Sequence, residues 1–190
     1  MKQAFLAVVC LAVTAFPAAA QPPASAAGAV ANPFSQALKA SFDTVAGYLA
    51  RSAEKMPEAD YSFKPTPEVR SFGQIVGHVA NAQYSYCSRA RGEKNPNAGN
   101  NFEEKTAKAD LVKALNGSIA YCSAVYGSMT DAKAVEPIPL PAGASPRPGS
   151  PMLPVRTLLG NITHDQEHYG NFVTYLRLKG LVPPSSEPRK

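Results

Sequence analysis

Four stretches of this chain set apolar residues at three- and four-residue steps, and no stretch of useful length alternates apolar with polar as a strand would. The first runs through Phe34, Ala37, Leu38, Ser41, Phe42, Val45, Tyr48, Leu49 and Met56 and is closed by Pro57. The second follows Ser71, a residue suited to capping a helix N-terminus, with Phe72, Ile75, Val76, Val79, Ala82 and Tyr86 as its stripe. The third, from about Phe102 to Met129, is carried by Leu111, Ala114, Leu115, Ser118, Ile119, Cys122, Val125 and Tyr126. The fourth starts near Val155, uses Leu158, Leu159, Ile162, Tyr169, Val173 and Leu176, and stops at Gly180 ahead of Pro183 and Pro184. The spacing predicts an all-α domain, a four-helix bundle over residues 33–184, with 185–190 as a tail.

The connections differ in kind. Two prolines within Asp60–Pro67 forbid regular helix there and favour an extended segment. Gly92–Asn101, rich in Asn and Gly, reads as a loop. Residues 137–154 hold seven prolines and form one long connection before the last helix. A connection of that length is either functional, a crossover, or a solvated linker.

The N-terminus lies outside the bundle. Lys2, the apolar run Ala4–Phe16 and the small residues Ala18, Ala19 and Ala20 have the form of a secretory signal peptide over 1–20, with 21–32 as a flexible Ala/Pro-rich leader. The run is too short for a membrane anchor, and no second long apolar segment follows, so the mature chain is expected to be periplasmic or secreted and free of the membrane. That compartment leaves Cys87 and Cys122 as either a disulfide or a pair of packed thiols. The net charge of +5 comes from scattered Lys and Arg, partly in the tail, and forms no nucleic-acid footprint.

Only three histidines occur. His164 and His168 stand one helical turn apart and can present both imidazoles to one ion. His78 lies on the second helix, about 180° around it from Cys87, on a flank also carrying Asn81 and Ser85. Two readings stay open on pattern alone: convergence on a metal, or three imidazoles hydrogen-bonded at the margin of the core.

The segment Asp60-Tyr61-Ser62-Phe63-Lys64-Pro65 leading into Ser71-Phe72-Gly73-Gln74-Ile75-Val76-Gly77-His78-Val79-Ala80-Asn81-Ala82, with His164-Asp165-Gln166-Glu167-His168-Tyr169-Gly170 far downstream, resembles the DinB-like (DinB/YfiT) superfamily. The resemblance spans about Pro33 to Pro184. It implies a four-helix bundle with a long connection before the last helix, and a divalent metal held by His78, His164 and His168. Zinc and nickel lead as candidate ions, and iron and manganese are also compatible with imidazole. The signal peptide and the proline-rich loop depart from the family's usual pattern.

Three imidazoles leave a coordination position for water or substrate, and a bound ion lowers the pKa of water or of a thiol. The resemblance therefore implies thiol transfer, or metal-assisted hydrolysis or isomerisation, on a small molecule; the alternative is a non-catalytic exported protein that binds a metal or ligand. Helical phase points Asp165 and Glu167 away from the histidines, as surface carboxylates. Asn161 and Asn81 are placed to orient the imidazoles or a ligand, and Tyr175 either presents its hydroxyl to the site or packs in the core. The partner expected is a small molecule, with a homodimer as the only assembly, although no helix face is surplus to the core.

Overall fold

The computed structural model describes residues 30–139 and 152–188. The signal-peptide and leader expectations fall on residues outside these, as does most of the proline-rich connection. Five α-helices, α1 (Pro33–Lys55), α2 (Phe72–Arg91), α3 (Lys108–Ser128), α4 (Asp131–Ala134) and α5 (Pro154–Leu178), and three short 3-10 turns make up the described residues, and no strand occurs among them. The four long helices form the expected bundle, with α3 and α5 each packed against both α1 and α2, so that α1 and α2 lie on a diagonal.

Local chemistry sets most of the boundaries. Ser71 caps α2 as expected: its hydroxyl accepts from Gln74 N at 3.2 Å while the Gln74 side chain accepts from Ser71 N at 2.9 Å. Gly92 (φ 68°) and Gly180 (φ 70°) take the left-handed conformation that ends α2 and follows α5. The first turn of α1 is capped from far along the chain. Asp131 accepts from Ser35 N at 2.7 Å and Phe34 N at 3.2 Å, and Asn32 Oδ1 in return accepts from Asp131 N at 3.1 Å.

The third helix begins later than its periodicity predicts. Phe102–Glu104 is a 3-10 turn, and α3 starts at Lys108. The reason lies on α2. A Cβ on Gly77 would stand 2.4 Å from Phe102 O and 2.7 Å from Glu103 N, so the missing side chain is what admits this backbone. Asn81 Oδ1 then accepts from Phe102 N at 3.2 Å and fastens the turn to α2.

Apolar side chains fill the bundle in two clusters. One gathers Leu49, Met56, Phe72, Leu115 and Phe172; the other gathers Phe42, Cys87, Tyr126 and Leu158. Between them in helical register lie Gln83 on α2, Ser118 on α3, and Asn161 and Asp165 on α5, all with no exposed surface. They are linked to one another: Ser118 donates to Gln83 Oε1 at 2.8 Å, and Gln83 Nε2 donates to Asp165 Oδ2 at 2.9 Å, while Asn161 Oδ1 and Asp165 Oδ1 stay unpartnered among the described residues. Cys87 and Cys122 form a buried disulfide that ties α2 to α3, which decides between the two readings of that pair.

Candidate metal centre

The three histidines meet beside the polar layer, His78 from α2 and His164 and His168 from α5. His164 Nε2 lies 3.2 Å from His78 Nε2 and 3.1 Å from His168 Nε2, and one ligand atom from each residue falls within 4.8 Å of the others. Two ion–nitrogen bonds of about 2.0 Å at a tetrahedral angle would span roughly 3.3 Å, so the spacing suits one small ion. His168 is buried, whereas the His78 and His164 side chains keep 25% and 16% of their surface, leaving an approach from solvent.

The second ring nitrogens identify what converges. His78 Nδ1 donates to Glu103 Oε1 at 2.7 Å, and Arg70 Nε donates to the other oxygen at 2.8 Å. Partial burial pushes Glu103 up, but the hydrogen bonds and charges of Arg70 and His78 outweigh it and hold the carboxyl below its ordinary value. An ionised carboxylate only accepts, so in the neutral imidazole the proton belongs on His78 Nδ1 and the lone pair on Nε2. His164 Nδ1 stands 3.9 Å from Asp165 Oδ1, and both atoms are buried without a hydrogen-bond partner among the described residues. Turning that proton toward Asp165 puts a second lone pair 3.2 Å from the first. Two facing lone pairs repel unless a cation lies between them, so the donor set fits a divalent ion. Burial, then the fields of His164 and His78, hold His168 down to about 4, so its ring is neutral at physiological pH. The Asn171 carboxamide lies 3.2 Å from His168 Nδ1.

Several sequence expectations need correction. Asp165 is fully buried rather than a surface carboxylate. It faces inward because Gln83 and Asn161 supply donors there, and burial pushes its pKa up against the hydrogen bonds that favour the ion. Glu167 is exposed, as expected. Asn161 does not touch an imidazole; its Nδ2 is 3.3 Å from both Asp165 Oδ2 and Tyr126 Oη. Asn81 serves the 101–102 turn instead, with Nδ2 donating to Asn101 Oδ1 at 2.8 Å. Tyr175 packs on Phe72 and donates to Arg70 O at 2.6 Å, which is the core reading.

Glu103, Arg70 and Tyr86 were missed. Glu103 and Arg70 carry no periodic signal because they reach the site from a turn and a connecting segment. Tyr86 falls in the sequence on an apolar stripe, yet its ring lies 5.7 Å from that of His164, and Gly160 leaves it room, since a Cβ there would be 3.2 Å from Tyr86 Cε1.

The fold has known counterparts. A DinB-like protein from Bacillus subtilis superposes with a TM-score of 0.63 at 20% identity, over 80% of this chain and 99% of that one. A conserved protein from Enterococcus faecalis gives 0.59 at 17% identity, over 76% and 96%. At such identities the likeness establishes the fold alone. No curated protein matches the chain. Residues 41–171 match the DinB superfamily, which takes in all three histidines and most of the bundle, and the chain belongs to that superfamily.

Proposed function

We propose that this protein is an exported, metal-dependent enzyme acting on a small molecule, with His78, His164 and His168 as the ligands of one divalent ion. The observation that carries the reading is the convergence of three imidazole nitrogens whose outer nitrogens face Glu103, Asp165 and Asn171, while two of the rings keep access to solvent. A divalent ion held there supplies Lewis acidity, which makes water or a thiol nucleophilic near neutral pH. The chain's own groups do the rest. Glu103 keeps the His78 proton on Nδ1, Asp165 offers the same service to His164, and the polar layer holds Asp165 in place. Among the described residues no fourth His, Cys, Asp or Glu joins the cluster, which favours an open position over a sealed structural ion. Hydrolysis is preferred over thiol transfer, because export would take the chain away from the cytoplasmic thiol pool. The sequence of residues 1–20 and the buried disulfide support export.

The test is elemental mass spectrometry of protein purified without an affinity tag, beside His78→Ala and His164→Ala, followed by counting of exchangeable waters on the manganese-loaded form by proton relaxation. One ion per chain, lost in both variants and carrying exchangeable water, is expected. A closed ion whose removal mainly lowers the melting temperature would make the protein a non-catalytic metal binder.

A further inference from the structure

Three features around the centre bear on what it binds. The guanidinium of Arg70 is fixed at one end only: Nε donates to Glu103 Oε2 at 2.8 Å, and Glu103 Oε1 takes the His78 proton at 2.7 Å, so Arg70 stands two hydrogen bonds from a metal ligand. Its backbone is fixed as well. Arg70 O accepts from the buried Tyr175 hydroxyl at 2.6 Å, and the next residue, Ser71, is the cap of α2. Among the described residues nothing hydrogen-bonds the two outer nitrogens, and 47% of the side-chain surface remains exposed. A planar fork held by backbone and Nε, with its outer edge free, is prepared for a planar oxyanion.

The charge balance points the same way. Arg70 cancels Glu103, and imidazoles hold a metal as neutral ligands, so a divalent ion brings two positive charges, of which Asp165, among the described residues, offsets one at most. The flank beside His164 is aromatic. Tyr86, half-buried against His164, offers a ring face and no charge.

We propose that the centre takes a small organic carboxylate, whose carboxylate pairs with the free edge of the Arg70 guanidinium beside the ion. One guanidinium already shared with Glu103 matches a singly charged carboxylate better than a phosphate dianion. The proposal rests on the metal reading above and names the ligand class for that site.

The experiment titrates cobalt-loaded protein, at saturating cobalt, with propionate, with its neutral isostere propionamide and with inorganic phosphate, following the visible d–d absorption. Wild type is expected to bind propionate more tightly than either of the others. Arg70→Gln is expected to weaken propionate about tenfold or more while leaving cobalt stoichiometry and propionamide binding unchanged. Arg70→Lys, which keeps the charge without the fork, should fall between them. Because Arg70 also steadies Glu103, Glu103→Gln is the control. It frees Arg70 of its partner, so propionate affinity should hold or rise. Equal losses in Arg70→Gln and Glu103→Gln would mean that Arg70 acts only through the imidazole, and would overturn the proposal. Wild-type propionate binding in Arg70→Gln, or phosphate bound more tightly than propionate, would also overturn it. Failure of the metal reading looks different: no stoichiometric cobalt before any anion is added, in which case both fall.

Discussion

Glu103 Oε1 lies 2.7 Å from His78 Nδ1, across 25 positions of sequence, and fixes which nitrogen of that imidazole faces the other two. A carboxylate behind a histidine ligand sets its tautomer and raises its basicity. Glu103→Ala should therefore weaken binding of a divalent ion by roughly 10- to 100-fold while leaving the helical circular dichroism unchanged. Competition against a chromophoric chelator measures this. Wild-type affinity in the variant would show that His78 needs no support.

Gly77 is what brings Glu103 there. Gly77→Ala puts a Cβ 2.4 Å from Phe102 O, against backbone that cannot rotate away. The turn Phe102–Glu104 must lift off α2, and overpacking of this kind costs about 1–3 kcal/mol. Urea unfolding should show that loss, and the same variant should bind metal as poorly as Glu103→Ala. Full stability together with full metal affinity would contradict the account of why this segment is not part of α3.

The four long helices were legible because each carries a continuous apolar stripe, and the histidines were legible because they are the chain's only three. The surroundings of the metal centre were not. Asp165 is polar, and a polar residue buried against Gln83 and Asn161 leaves the same gap in a stripe as one facing water. Periodicity tells apolar from polar, not inside from outside, so Gln83, Asn161 and Asp165 escaped it, and of their layer only Ser118 falls on a stripe. Glu103 was hidden for another reason. The stretch from Phe102 looks helical by composition, and the contact that overrides it, Gly77 against Phe102 O, spans two elements.

The disulfide and the metal centre should be separable. Cys87 and Cys122 are buried and close a loop of 35 residues. Loop-closure entropy for that length predicts about 4 kcal/mol of stabilisation. The double variant Cys87→Ser, Cys122→Ser should unfold at markedly lower urea than the oxidised wild type yet still take up one ion per chain at low temperature, since neither sulfur belongs to the cluster. Loss of metal from a variant that is still folded would show that the bridge also sets the position of His78 on α2.

The cap supplied by Asp131 carries a pH signature of its own. Its carboxyl is held below the ordinary value: desolvation pushes it up, but the hydrogen bonds from Ser35 and the Phe34 N–H outweigh that. A carboxyl whose pKa is lower folded than unfolded contributes stability that is fully present above its unfolded value and disappears as pH falls through the folded one. Asp131→Asn should accordingly lower the melting temperature at pH 7 and flatten its decline below about pH 4, the range where an unfolded Asp begins to take up its proton. Melting curves from pH 7 down to pH 2.5 for wild type and variant, both stripped of metal so that the histidines contribute equally, decide it. A variant whose melting temperature parallels wild type throughout would mean that α1 keeps its first turn without a charged cap, held by Pro33 and by Asn32 in its left-handed conformation.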